Sequence, residues 1–240
     1  MGIKKLRKKL AAKAKGDVLE VSVGTGRNLE GYIGFGTKDK KGTSLKSFTA
    51  LDKSAEMLEV AHEKFSKLYP GIIGVRWVIG DACVEGAIPA PPRNSDERSG
   101  NLEGGKYDTV VQTMGLCSVQ DPVALLRNLG NVVKEEEGRI LLLEHGRGRW
   151  EWLNGVLDKF AEGHAREFGC WWNRDLGAVV RESGLEVVEV KRWHGGTTQW
   201  FELKKPRTKL QEVVNVVAEK VQGSKDSGEV KGKKTWWYWA

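Results

Sequence analysis

Cysteine is scarce: three residues, Cys83, Cys117 and Cys170, in a chain of 240. An odd number with no CxxC pair and no nearby histidine cluster excludes a disulfide framework, speaks against structural zinc, and leads to the expectation of no metal site. Long apolar runs are missing as well. None approaches the ~20 residues needed to span a bilayer, and no apolar core follows the N-terminal lysines as it would in a secretory signal. The net charge of +7 is not spread evenly, since residues 1–16 carry seven Lys/Arg and no acid, and residues 204–240 carry nine against four acids. The stretch between them holds 23 basic and 28 acidic residues, so the basicity belongs to the ends and counts against a nucleic-acid-binding core. What remains, 40% hydrophobic and 30% charged residues, is the composition of a folded domain.

Ile3, Leu6, Leu10 and Ala14 recur at helical spacing with lysines on the other faces, which predicts a helix over 3–15. A basic, acid-free start also matches a mitochondrial presequence. Because it runs straight into the next segment through Lys15-Gly16-Asp17, with no cleavage region, a helix packed beside the first strand is the preferred reading. Strands are expected over 17–23, 48–51, 74–79, 107–113 and 139–143. Helices are expected between them: one opening at the Gly24 turn, one over 54–69 with Ser54 as N-cap, and one over 121–134 with Pro122 in its first turn. That alternation implies parallel βαβ units, hence an α/β, doubly wound sheet. Beyond His145 come expected helices over 150–168 and 173–183, then strands over 185–192 and 198–204 forming an antiparallel C-terminal hairpin around Gly195-Gly196. Residues 36–46 and 86–106 read as loops. The domain is therefore placed at 1–205. A basic tail over 206–240 is expected to hold a helix to about Val221, a mobile linker and a Trp236-Trp237-Tyr238-Trp239 end suited to a membrane interface or a protein groove.

The segment Val18 to Asn28, VLEVSVGTGRN, carries the strongest signal. A buried strand that delivers Gly24 and Gly26 into a turn lets a ligand approach the backbone closely. The dinucleotide fingerprint would require a third glycine where Leu29 stands, and there is no Walker lysine.

Glu20-Val-Ser-Val-Gly24-Thr-Gly26 resembles the first motif of the class I S-adenosylmethionine-dependent methyltransferases, with Ser22 in place of the usual first glycine. That departure is tolerable if the Ser22 backbone keeps φ below zero. Three further landmarks follow in the family's order: Leu51-Asp52-Lys53 with Met57, then Gly80-Asp81-Ala82, then Tyr107 to Ser118. The resemblance implies a Rossmann-like, seven-stranded sheet with S-adenosyl-L-methionine bound at the carboxyl ends of its strands. It implies that Asp52 takes the ribose hydroxyls, that Asp81 and the Ala82 N–H read the adenine edge, and that Thr113 and Met114 face the sulfonium. Glu20, Ser22, Arg27, Asn28, Lys53 and Met57 complete the expected cofactor site. Leu116-Cys-Ser-Val and Leu143-Glu-His145-Gly are similar to the ubiquinone-methyltransferase-like branch, including thiol methyltransferases. Gly169-Cys-Trp-Trp-Asn-Arg-Asp175 is most similar to a fungal mitochondrial group anchored to the inner membrane. No such anchor is read in this sequence, so a shortened or soluble version is expected, with mitochondrial location and peripheral membrane contact through the termini implied by resemblance.

On the acceptor side, His145 at the end of the fifth strand is the candidate catalytic base, and His164 is expected to pack locally. Trp150, Trp152, Trp171 and Trp172 either wall an apolar pocket for a small-molecule or lipid-like acceptor or fill packing contacts. Asn173 either orients that acceptor or caps the following helix, and capping is preferred. Two other functions stay open: a non-catalytic assembly factor that keeps the fold, and an RNA methyltransferase. Met114-Gly-Leu-Cys117, standing where an amino-methylating NPPY-type motif would be, counts against base methylation and against nucleic acid as a partner.

Overall fold

The computed structural model describes residues 1–33, 35, 45–72, 74–92 and 105–207. The helix expected from Pro206 and the tryptophan-rich end thus fall outside the described residues, as do most of the 36–46 loop and residues 93–104. Met1–Pro206 forms one compact unit.

Seven strands lie in the order β3-β2-β1-β4-β5-β7-β6, with β1 at Gly16–Val21, β2 at Leu45–Asp52, β3 at Val75–Ile79 and β4 at Thr109–Thr113. The remaining strands are β5 at Arg139–His145, β6 at Glu186–Trp193 and β7 at Thr198–Lys204. β1 to β5 run parallel, and β7 pairs antiparallel with both β5 and β6, which gives the expected C-terminal hairpin.

The sheet is covered on both faces because its strands carry apolar side chains to both. On one face Leu6 and Leu10 of α1 (Ile3–Ala11) and Leu58, Ala61 and Phe65 of α2 (Ala55–Leu68) close over Val18, Phe48, Val111 and Leu141. On the other, Leu125, Leu126 and Leu129 of α3 (Pro122–Val132) and Leu176 and Val180 of α5 (Leu176–Ser183) close over Leu19, Val110, Ile140 and Leu142. The helix starts follow their capping residues: Ser54 Oγ accepts from the Met57 N–H, and Asp121 Oδ1 accepts from the Ala124 N–H at 2.8 Å, just before Pro122.

Several boundaries differ from expectation: α1 ends at Ala11, short of 15, and β2 begins at Leu45, before 48. The glycine turn opens only a single 3-10 turn, Leu29–Gly31, where a helix is predicted. A Cβ on Gly31 would sit 2.9 Å from Ala11 Cβ, so α1 occupies the space against which a longer helix would grow. The helix predicted from 173 begins instead at Leu176, because the Asp175 side chain, not that of Asn173, accepts from the Ala178 N–H. α4 (Glu151–Phe168) buries little besides Ala161 and ends at Gly169, which adopts the left-handed φ of 65°. Among the described residues no helix is long and apolar enough to cross a membrane.

Candidate active site

In this strand order the connections leave β1 in one direction toward β2 and return across it to β4, so a crevice opens at the carboxyl ends of β1 and β4. The sequence landmarks meet there. Past Val21 the chain turns through Ser22, Gly24 and Gly26 with φ of 53°, 53° and 69°. The condition of a negative φ at Ser22 is therefore not met, and the left-handed bend costs a non-glycine residue about 1–2 kcal/mol. Met114, the first residue past β4, repeats it with φ of 54°. The two bends face each other: a Cβ on Gly115 would stand 3.1 Å from the Ser22 side chain. Backbone strain of this kind, held in place on two neighbouring strand ends, is found where a fold shapes a ligand site.

Beneath the turn, buried Glu20 accepts hydrogen bonds from Asn28 Nδ2 at 2.8 Å and from the Tyr32 hydroxyl at 2.7 Å. Asn28 Nδ2 also reaches Thr113 Oγ1 at 3.0 Å, and Arg7 donates to Asn28 Oδ1 and to Thr113 Oγ1. Burial raises Glu20 to about 7 against the opposing hydrogen bonds from Tyr32 and Asn28, and desolvation lowers Arg7. Arg7 is one site residue that the sequence reading misses. Its signal was present: it is the single arginine among the N-terminal lysines, set between Leu6 and Leu10 on the buried stripe.

One strand over, Asp52 joins two segments, accepting from the Gly24 N–H through Oδ2 at 2.8 Å and from the Ser54 N–H through Oδ1 at 3.0 Å. The Gly80 N–H donates to the Asp52 carbonyl at 2.9 Å, which brings the end of β3 alongside. Asp81 is exposed and accepts from the Cys83 N–H at 2.9 Å, while Ala82 is buried and held to α3 by Asn128. Gly24, Gly26, Asp52 and Asp81 thus line three adjacent strand ends. Arg27, Lys53 and Met57 are exposed and take no part in the buried network. A cavity of about 310 Å³ lined by His62, Phe65, Tyr69 and Trp77 lies apart, between α2 and β3.

Two observations suit a ligand in the crevice. A Cβ on Gly24 would meet nothing within 4 Å, whereas one on Gly26 would collide with Leu29 at 2.5 Å. In addition, the buried Gln112 amide has no partner on either atom, and a Cβ on Gly115 would lie 2.6 Å from its nitrogen. The Gly24→Ala variant is accordingly expected to lose only about 1 kcal/mol of stability, from its positive φ. It should nevertheless bind S-adenosylmethionine at least about tenfold more weakly, because its methyl enters the open space. Gly26→Ala should unfold first, by about 2 kcal/mol or more. Urea titration beside calorimetry checks the pair, and equal stability losses would contradict the assignment of one glycine to ligand and the other to packing.

The far side of the crevice is built on Glu144, a buried carboxylate that accepts from the Gly115 and Leu116 N–H groups at 3.2 and 3.1 Å and so fixes the turn after β4. Burial, helped by the neighbouring Cys117 charge, raises Glu144 to about 8. His145 sits at the carboxyl end of β5 as expected, but its Nε2 is turned toward Cys170 Sγ at 2.8 Å. Cys117, on the Glu144-bound turn, completes a group of three whose donor atoms all lie within 4.8 Å of one another. The hydrogen bond from Cys170, with a further one from His145, holds the Cys117 thiol down at about 4, while Cys170 is held above the ordinary thiol range by donating that bond. Linear spacing gave no hint of this cluster, and the expectation drawn from the absence of a nearby histidine missed it.

The tryptophans divide. Trp150 and Trp152 stack at 6.1 Å and stay exposed, as does Trp171. Trp172 is a packing residue, its indole N–H donating to the Leu157 carbonyl at 3.0 Å and its ring stacked on His164 at 3.9 Å, which is also the local packing expected of His164. Asn173, freed of capping, donates to Asp158, which Arg147 grips through both carboxylate oxygens. Together these contacts fasten α4 to the end of β5.

Fold and crevice together define a methyltransferase domain. The chain belongs to the methyltransferase-domain family, whose profile matches residues 2–190. It is 44% identical over 196 residues to the mitochondrial methyltransferase OMS1 of Saccharomyces cerevisiae, a match covering 81% of this chain and 39% of that protein. The chain thus spans about two fifths of the length of this curated relative. Among solved structures, the magnesium protoporphyrin IX methyltransferase of Synechocystis PCC 6803, with bound S-adenosylhomocysteine, aligns with a TM-score of 0.52 at 13% identity, covering 84% of this chain and 82% of that one. The O-methyltransferase NcsB1 of neocarzinostatin biosynthesis, in complex with S-adenosylmethionine and a naphthoic acid, aligns with 0.53 at 18% identity, covering 81% and 50%. These share the Rossmann-like methyltransferase fold.

Proposed function

We propose that this chain uses S-adenosylmethionine to methylate a small or lipid-like acceptor, and that it works in mitochondria. The observation that carries the reading is the Asp52 carboxylate, bound to Gly24 and Ser54 backbone on the rim of an open space above Gly24. When bound, S-adenosylmethionine supplies a methyl group on a sulfonium, transferred by in-line displacement as the carbon–sulfur electron pair leaves on sulfur. Such chemistry asks the protein mainly to align the partners and exclude water.

Each task falls to a residue already placed. Asp52 has oxygen lone pairs left to accept two ribose hydroxyls, which an ionised carboxylate does well. Asp81 and the Ala82 N–H read the adenine edge. The left-handed bends at Ser22 and Met114 set the backbone around the methionine end, and Arg7, Asn28 and Thr113 lock that backbone from below. Trp150 and Trp171, exposed beside β5, supply apolar walls for the acceptor. Acid–base help is assigned to no residue outside the group of Cys117, His145 and Cys170.

The test is direct. The full chain is incubated with methyl-labelled S-adenosylmethionine and a mitochondrial extract of metabolites and lipids, and products are read by mass spectrometry. A labelled small molecule or lipid that disappears with Asp52→Ala is the expected result. Cofactor binding without any labelled product would favour the assembly-factor reading. The yeast relative is mitochondrial, which motivates the choice of extract.

A further inference from the structure

We propose that Cys117, His145 and Cys170 form a binding site for a thiophilic divalent cation, Zn2+ first among them, with three protein ligands and one open position. The inference does not rest on the residues proposed to hold S-adenosylmethionine; it rests on donor chemistry and geometry at the three residues to which any acid–base help was left.

The donor set is two thiol sulfurs and one imidazole nitrogen, which selects zinc over magnesium or calcium. All three donor atoms lie within 4.8 Å of one another. A tetrahedral zinc ion would set sulfur–sulfur and sulfur–nitrogen separations of about 3.8 and 3.6 Å, given bonds of about 2.3 and 2.0 Å. The His145 Nε2 to Cys170 Sγ separation of 2.8 Å would therefore open by about 0.8 Å as the ion takes the place of the shared proton.

The backbone under the three donors is already assembled. Cys117 and Cys170 come from different connections, and the Trp171 N–H donates to the Cys117 carbonyl at 2.9 Å, tying the two beside each other. The Arg147 N–H donates to the Arg174 carbonyl at 2.9 Å, and a Cβ on Gly146 would stand 2.5 Å from that same oxygen. The end of β5, which carries His145, is thereby pressed onto the stretch that begins with Cys170. Cys117 and Cys170 are buried, so their thiols are shielded from bulk solvent. Two thiolates and a neutral imidazole would cancel a divalent charge and leave no net repulsion toward the nearby Arg174 guanidinium.

Three protein ligands and one open place is the pattern of a metal that acts on something, whereas structural zinc fills all four. The open place lies at the ends of β4 and β5, next to the turn that Glu144 fixes. Cys83, on the connection after β3, is outside the group and serves as the internal control.

The experiment uses the full, untagged chain under reductant, stripped by a chelator and titrated with Co2+ and then Zn2+. The expected result is a thiolate-to-cobalt charge-transfer band together with the intense visible bands of four-coordinate cobalt, lost when zinc displaces it. Cys170→Ser should weaken zinc binding by more than the ~10–100-fold that losing an outer-sphere partner costs. Cys83→Ser should load like the parent. Circular dichroism reports that the variants are folded, and calorimetry with S-adenosylmethionine in parallel separates the two proposals, since zinc loading without cofactor heat would retire only the methyl-transfer reading. A cobalt spectrum without the thiolate band, or a Cys170→Ser chain that loads like the parent, overturns the site.

Discussion

Asp52→Ala is expected to bind S-adenosylmethionine about 100-fold more weakly or worse. A hydrogen bond to a charged group is worth about 1.5–3 kcal/mol, and the carboxylate is proposed to receive two from the ribose. The same substitution leaves the Gly24 and Ser54 N–H groups without the acceptor they now hold at 2.8 and 3.0 Å, so the turn loosens as well. Stability should fall by about 1–2 kcal/mol for that reason alone. Asp52→Asn separates the two effects. Its amide oxygen can keep one of the backbone N–H bonds, but its NH2 cannot accept from a hydroxyl, so it should recover much of the stability and little of the affinity. Calorimetry on both variants, with circular dichroism to show they are folded, checks this. An Asp52→Ala chain that is folded and binds within a factor of three of the parent would remove the ribose role.

The parts of this site that could be read from sequence are those fixed by local chemistry. The glycines at 24 and 26, the aspartates that end β2 and follow β3, and the caps Ser54 and Asp121 each announce themselves within a few residues, because turn and cap geometry is set by near neighbours. Other features depend on distant contacts. Ser22 looks like an ordinary substitution until β4 is laid beside β1, where its left-handed bend faces the turn that carries Gly115. Asn173 has the right side chain to cap a helix, but Asp158 claims it across α4, and Asp175 takes the task. The Cys117, His145 and Cys170 group shows nothing in linear spacing, since its members come from the ends of two strands and a helix. Arg7 occupies the intermediate case, visible as an odd residue on an apolar stripe but without its partners until the fold supplies Asn28 and Thr113.

Removing the charge of Glu20 should stabilise the ligand-free protein, by an amount that grows with pH. Burial raises Glu20 to about 7 from the ordinary 4.5, so between those values the folded chain holds a proton that the unfolded chain has released. Stability then falls with rising pH by up to about 1.4 kcal/mol per unit, and the loss, about 3 kcal/mol at most, is complete above pH 7. Glu144, raised to about 8, contributes in the same direction, and Cys117, lowered to about 4, in the opposite one, so the slope of the parent alone decides nothing. The difference between parent and Glu20→Gln isolates the one group. Glutamine keeps the shape: its oxygen can accept from Asn28, and its NH2 can face the Tyr32 hydroxyl, whose rotor turns to accept. At pH 4.5 the two proteins should differ least, by about 0.4 kcal/mol, because Glu20 is protonated in the folded parent and only half ionised in its unfolded chain. By pH 7 the variant should lead by about 1–3 kcal/mol, and the lead should stay nearly constant beyond that. Urea unfolding of both chains at half-unit steps from pH 4.5 to 8.5 measures it. A lead that does not widen between pH 5 and 7 would mean that Arg7 keeps Glu20 fully ionised in the fold, and that the network under the glycine turn is a salt bridge and not a shared proton.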